Sequence, residues 1–465
     1  MHVIIPTTEY EGLLKTGGLG DAIFGLANAL SKRDGFKVSV IIPNYKHLND
    51  EGFEHIGEFE IKNPDMTIDE DIDKLKGNFL YRKLRDVDVY LIENDFYFCR
   101  DNIHMYDDEI MRWAFFSRGI YELIVQKSLN PDVVQTNDYH QGFVASIFKE
   151  KIPDINCKFV DSIHNAYFHN IHQFDSYNPR ALFEYYLGFK WEYDDVDILK
   201  WAVSTADYVI TVSPDYADTI KDPNSEFGAG LHDLYREKDV VGFLNGLDAS
   251  VYDRQSDDFE SFLKVKQKAK EELQNKFNLK VDKDIPLFGY VCRLSDQKGS
   301  YIVYEDLPSI VENAQLVVLG EGDEKCNEKF DELNGKLENY VAVIDFDVEL
   351  SKLIYMASDF FLMPSWFEPC GIGQLIALYH ATLPIVTNVG GLRDTVNDYK
   401  LDDGNGFKLE DYSKEALDDT VNTAKDVYFN DKELLLKLMK NAYDSDNSWD
   451  NAINNYIEFY EKLMK

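Results

Sequence analysis

The chain has 465 residues, 45% hydrophobic and 14% aromatic, with a mean hydropathy of −0.36, which is too long for one ordinary core and predicts two or three globular domains. Its 48 basic and 84 acidic residues leave a formal charge of −36, which repels nucleic acid and anionic lipid and disfavours both as partners. The five cysteines (Cys99, Cys157, Cys292, Cys326, Cys370) are scattered without CxxC spacing, which argues against a disulfide framework and a zinc site and fits a reducing cytosol.

At the N-terminus, MHVIIPTTEYEG lacks a charged segment followed by an apolar one, and no run of about 18 apolar residues follows, so neither export signal nor membrane span is expected. Residues 1 to 7 read as a buried strand. Leu19, Ile23, Leu26, Ala27 and Leu30 then recur at helical spacing until Asp34-Gly35, and residues 36 to 43 read as a second strand. This β-turn-α-β unit opens a doubly wound sheet. A helical run around Trp113 and strands at 131 to 135, 158 to 163 and 206 to 214 continue the pattern. A second series starts at 286, 314, 341, 359 and 383, so two α/β domains are predicted. A seam is expected near NGLD (245–248), before a charged helical stretch from Asp257 to Lys280. The last segment, Ser448 to Lys465, reads as an amphipathic helix with Trp449, Ile453, Tyr456, Ile457 and Tyr460 on one face.

Four turns carry chemistry. KTGGLGD (15–21) follows the first strand. It is no Walker A loop, because its lysine precedes the glycines, and no dinucleotide fingerprint, because Ile23 stands where the third glycine belongs. Its glycines let backbone N–H groups approach an anion, and Lys15 adds a point charge; the same glycines would also serve a packing turn. RLSDQKG (293–299) puts Arg293 and Lys298 on a strand-exit loop, where two cations clamp phosphate oxygens, with solvated surface charge as the plainer reading. In FEPCGIGQ (367–374), Glu368 precedes a proline and is biased out of helical geometry. Gly371 and Gly373 open an approach to the following helix. VGGLRDTV (389–396) repeats that design. In the first half, NDYHQG (137–142) and IHNAY (163–167) put polar clusters at strand exits, where open α/β sheets bind ligands. Metal binding by His164, His169 and His172 is discounted for want of a recognisable ligand spacing.

Together with ADYVITVSPDYA (206–217), EFGAGL (226–231) and LGEGD (319–323), these motifs span nearly the whole chain. The sequence resembles the bacterial and plant glycogen (starch) synthase family of retaining glucosyltransferases. The resemblance implies the GT-B fold, with two Rossmann-like doubly wound domains facing across a cleft. The domains are expected at 1–242, joined by a crossover helix at about 447–465, and at 243–446. It further implies transfer of glucose from ADP-glucose or, less favoured, UDP-glucose to the non-reducing-end 4-hydroxyl of an α-1,4-glucan in the cytoplasm or a plastid. No cofactor or metal is implied, nor any nucleic-acid or membrane partner. By resemblance, Lys15 and the Gly18 backbone lie beside the donor phosphates, and Arg293 with Lys298 neutralises the leaving diphosphate. Glu368 sits near the transferred glucose, whose site Cys370, Gly371, Ile372 and Gly373 line. Asn245 and His164, beside Asn165, contact the sugar. Asp138 lies near the acceptor, Asp21 near the cleft floor, Gln297 in the phosphate loop, and Tyr355 is the candidate to stack on the base.

One carboxylate rather than two favours front-face return within an ion pair over double displacement. Thr387, Gly373 and Trp366 depart from the family's common pattern, and the IHNAY loop is one residue short. The first two bear on nucleotide preference. Competing readings are a related GT-B enzyme acting on a small acceptor, a glucan-binding protein without catalysis and, weakest, a nicotinamide oxidoreductase.

Overall fold

Continuous apolar runs become strands buried on both faces. Val3, Ile4 and Ile5 of β1 (His2–Pro6) have no exposed surface, as a parallel strand covered by helices requires. The computed structural model describes residues 1–167, 171–256 and 258–465. These form two units, one comprising Met1–Asn245 and Ala452–Lys465, the other Gly246–Asn451.

The first unit adds β2 (Lys37–Pro43), β3 (Glu54–Glu60), β4 (Lys76–Leu84), β5 (Val87–Glu93), β6 (Val133–Asn137), β7 (Lys158–Ile163), β8 (Ile171–Gln173), β9 (Asp195–Asp197), β10 (Tyr208–Thr211) and β11 (Val241–Gly242). Nine of them make one sheet in the order β11-β10-β7-β6-β1-β2-β5-β4-β3, while β8 and β9 pair separately. Pairing is parallel from β11 to β5, whereas β4 and β3 continue as an antiparallel edge. That ribbon was not anticipated from the sequence. The helix Gly18–Ser31 starts in the glycine turn and buries Ala22, Ile23, Leu26, Ala27 and Leu30, the periodic face that predicts it.

The second unit holds β12 (Leu287–Val291), β13 (Gln315–Leu319), β14 (Tyr340–Val343), β15 (Phe360–Met363), β16 (Leu383–Val386) and β17 (Phe407–Lys408). They form an all-parallel sheet in the order β14-β13-β12-β15-β16-β17. Each unit is thus a doubly wound α/β layer structure, as the sequence pattern implies. The charged stretch forms the helix Phe259–Lys276, whose N-cap Asp258 accepts from Ser261 N at 2.9 Å; Asp257 lies outside the described residues. On that helix Lys266 is buried, and burial pulls its amine down to about 7. Its Nζ donates to Met356 O, His380 O and Thr382 Oγ1 at 3.0, 3.1 and 2.6 Å, binding the ends of the helices Val348–Ala357 and Gly373–Tyr379 to the core.

The final helix, Trp449–Leu463, returns the chain to the first unit from Ala452 onward. Tyr456 packs on Phe243 with ring centroids 5.3 Å apart, and the buried Tyr460 hydroxyl donates to Gln135 Oε1 on β6 at 2.5 Å. Tyr460→Phe leaves that buried acceptor without its donor and is expected to destabilise the first unit by about 1–3 kcal/mol. Urea unfolding of the two units followed separately should show the loss in the first unit and not in the second.

Candidate functional site

In the second unit the loops leaving β12, β15 and β16 meet. The left-handed Gly299 (φ +77°) ends the RLSDQKG turn, where a Cβ would land on the Pro364 carbonyl oxygen. Glycine is what lets the two loops touch. Trp366 N donates to Gln297 O at 2.9 Å, and Gln297 Nε2 reaches Phe367 O at 3.4 Å. These bonds bring Lys298 Nζ to 2.5 Å from Glu368 Oε2, which also accepts from Ser365 Oγ at 3.1 Å. Glu368 is 7% exposed, so Lys298 and Ser365 supply the partners that water cannot. Arg293 stands exposed beside them, its Nη2 3.4 Å from Gln297 Oε1. A carboxylate, an ammonium and a guanidinium within one loop pair suit a ligand carrying phosphate next to a group that develops positive charge.

The β16 exit supports this arrangement. Gly391 N donates to Glu368 O at 3.1 Å, and Thr387 Oγ1 donates to Ser365 O at 2.5 Å. Thr387, a departure from the resembled family, therefore ties down the strand exit that carries Glu368. Cys370 is buried and outside any disulfide, while Gly371, Ile372 and Gly373 are partly exposed at the start of the next helix.

Tyr355, expected to stack on the base, is 5% exposed, with its ring 4.7 Å from that of Phe361. A Cβ at residue 373 would sit 3.2 Å from its hydroxyl, and Gly373 thus leaves room for Tyr355 in the core. An exposed aromatic on the same sheet edge is Phe346, 76% exposed after β14. An aromatic between two aspartates just past an apolar strand was the available signal.

In the first unit the glycine turn is held from within. Glu9, 5% exposed, accepts from Thr16 N (2.7 Å), Thr16 Oγ1 (2.7 Å) and Gly17 N (2.9 Å). Two of the turn's amides therefore serve a protein carboxylate, not an external anion. Gly18 lies exposed at the helix start, where first-turn amides have no intrahelical partner. Lys15 Nζ lies 2.8 Å from both Glu11 and Asp21. Glu9 and Glu11 were missed in the sequence because a carboxylate folding back onto a turn leaves no spacing rule.

At the exits of β6 and β7, Asp138 adopts φ +56°, a costly conformation for a non-glycine residue. Its Oδ1 accepts from His164 N (2.7 Å) and Asn165 N (3.1 Å). Burial pushes its carboxyl up to about 7 against the pull of those two amides. His164 Nε2 is 3.0 Å from Asn137 Oδ1, and burial brings the imidazole down to about 4, so it is neutral at physiological pH. The Asn137 amide nitrogen donates to Pro6 O at 2.8 Å. That fixes its oxygen toward the ring and makes Nε2 the protonated nitrogen. Asn245 is buried at the unit's C-terminal boundary. His169 lies outside the described residues; among the described ones, no three His, Cys, Asp or Glu side chains are grouped to hold a metal, and no helix is long and apolar enough to cross a membrane.

Comparison with known proteins gives the family. Residues 2–237 match the family model for the starch synthase catalytic domain, and residues 271–445 match that for glycosyl transferases group 1. The chain is 35% identical to a glycogen synthase of Clostridium novyi, with 100% of this chain and 99% of that protein covered. It is 36% identical to a glycogen synthase of Streptococcus mutans, with both chains fully covered. Its structure is similar to the catalytic domain of starch synthase IV from Arabidopsis thaliana, solved with ADP and acarbose. The TM-score is 0.86 and the identity 26%, with 100% and 99% of the two chains covered.

The raised Asp138 pKa has a signed consequence. The folded state holds this proton above the ordinary carboxylate range of about 4, so stability present at low pH is lost as pH rises through about 7. Asp138→Asn removes that contribution. Urea midpoints of the first unit measured from pH 4.5 to 7.5 should fall less steeply in the variant than in the wild type.

Proposed function

The chain belongs to the glycogen and starch synthase family of glycosyltransferases, and from that premise we propose that it transfers glucose from ADP-glucose, in preference to UDP-glucose, to the non-reducing-end 4-hydroxyl of an α-1,4-glucan. The observation that carries this reading is the contact of Lys298 with Glu368 beside Arg293.

Transfer breaks the bond between glucose C1 and the β-phosphate oxygen, putting negative charge on the diphosphate and positive charge on the sugar ring. Arg293 offers a planar fork and Lys298 a point charge to the phosphates. An incoming diphosphate competes with Glu368 for the Lys298 ammonium, leaving that carboxylate to stabilise the positive sugar. Retention follows if the acceptor 4-oxygen attacks from the side the diphosphate leaves, passing its proton to the departing phosphate oxygen. Glu368, the buried carboxylate of the β12–β15 loop pair, fits this ion-pair return; a trapped glucosyl adduct on Glu368 would replace it with double displacement.

The remaining assignments rest on the resemblance and the geometry together. Gln297 braces the phosphate loop, and Cys370, Gly371, Ile372 and Gly373 line the glucose site. Lys15, with the Gly18 amide, belongs to the donor-phosphate side, and Asp21 to the floor beside it. Neutral His164 and Asn245 hydrogen-bond to the sugar without adding charge, and Asp138 with Asn165 meets the acceptor. Phe346 takes the base-stacking role from the buried Tyr355. The five free thiols suit a reducing cytoplasm.

Transfer of labelled glucose from ADP-glucose or UDP-glucose onto glycogen tests the reading. Lys298→Ala and Glu368→Ala should each lower kcat by about 10²-fold or more; wild-type rates in both variants would refute the site. Phe346→Ala should raise the donor KM about tenfold while inorganic pyrophosphate inhibits as before, since pyrophosphate has no base to stack.

A further inference from the structure

The turn that carries Lys15 is folded around its own acids. After β1, Tyr10 and Leu14 pair as a short antiparallel bridge through Tyr10 N to Leu14 O (2.9 Å) and Leu14 N to Tyr10 O (3.1 Å). Glu11 sits in the reversal, its own N–H on Gly20 O at 3.2 Å, which registers the reversal against the first turn of the helix Gly18–Ser31. Gly20 gives the Lys15 stem its course, since a Cβ there would come within 3.2 Å of Lys15 Cβ. The ammonium is thereby delivered between two carboxylates, 2.8 Å from Glu11 Oε2 and 2.8 Å from Asp21 Oδ1.

The electrostatics of this turn oppose an anionic ligand as it stands. Glu11 and Asp21 flank the one ammonium, and Glu9 holds the amides of the turn beside it. Burial pulls the Lys15 amine down, yet Asp21 and Glu11 outweigh it and hold the amine above its ordinary value. Burial also raises the Asp21 carboxyl; Lys15 lowers it, and Glu11 and Glu9 add to the rise. A diphosphate approaching Lys15 therefore meets a lysine whose charge is already satisfied. Glu9 cannot yield without releasing the Thr16 and Gly17 amides. Glu11 can, because its side chain is 39% exposed and water can take the place of the lysine.

We propose that Glu11 is an internal competitor for the donor's diphosphate, its carboxylate holding the Lys15 ammonium in a resting ion pair that the diphosphate must displace. Resting on the donor-phosphate role of Lys15 proposed above, this makes Glu11 a residue that sets donor affinity. It raises the sugar-nucleotide concentration at which the enzyme half-saturates, and it keeps Lys15 from stray anions. The exchange is an ion-pair swap with no proton transferred, since Lys15 stays charged throughout.

The test is a double-mutant cycle of the full chain: wild type, Glu11→Gln, Lys15→Ala and the double variant. Donor KM is read in the transfer assay, and the Kd of inorganic pyrophosphate by calorimetry, each at low and high salt. Glu11→Gln should lower both constants about two- to fivefold, the range of a partly exposed ion pair, and the gain should shrink at high salt. In the Lys15→Ala background the same substitution should lower neither. A turn merely loosened by Glu11→Gln would raise the donor KM instead, and that result, an unchanged pyrophosphate Kd, or an equal gain without Lys15 overturns the proposal. Wild-type protein that transfers glucose from neither donor would refute the transferase reading, while the pyrophosphate Kd values would still decide the competition at Lys15.

Discussion

Parallel strand pairing is the constraint from which the candidate sites follow. Each parallel strand needs a crossover to reach the next, so all strands of β12 to β17 leave their sheet on one edge. The RLSDQKG, FEPCGIGQ and VGGLRDTV turns, distant in sequence, become neighbours because they all follow strands. The same geometry in the first unit sets Asp138 after β6 beside His164 after β7, in a register that pairs Asn137 with Ser162. Ligands in such sheets bind beyond the carboxyl ends of the strands, and the polar side chains accumulate there for want of a place in the buried layers.

A second theme is that the site cations come already paired. In a chain with an excess of acids, Lys298 rests on Glu368 and Lys15 on Glu11 and Asp21. A buried or half-buried carboxylate gains a partner where a cation faces it. These pairs hold the loops in shape before any ligand arrives, which limits the reorganisation left for the reaction itself. The cost is competition, because an anionic ligand must outbid a carboxylate for each lysine it meets.

Legibility of the chain followed burial. The apolar runs at β1, β2, β12, β13 and β16 and the helical face of Gly18–Ser31 announce themselves by composition and period. β3 and β4, on an antiparallel edge, carry sequences such as EHIGEFE with a mostly exposed or half-exposed burial pattern, and nothing in their composition separates them from a loop. Among site residues, those inside glycine-punctuated motifs, such as Lys298 and Glu368, were readable. The burial of Tyr355 against Phe361 could not be read from the sequence, because it depends on packing between a helix and a strand. Phe346 went unnoticed although it stands between two aspartates just past an apolar strand, because that local signal does not say which edge of a sheet the residue faces.

By itself the sequence determined two doubly wound α/β units, the glycine-rich and charged turns, and the strand exits where those turns stand. Hydrophobic period and glycine placement are local properties of the chain, which is why they could be read in order. Tertiary structure alone decided that Lys298 meets Glu368 across 70 residues, that Thr387 anchors the β15 exit, and that Glu9 and Glu11 divide the glycine turn between them. A hydrogen bond or ion pair depends on distances of a few ångströms between groups, and only the folded chain sets those distances.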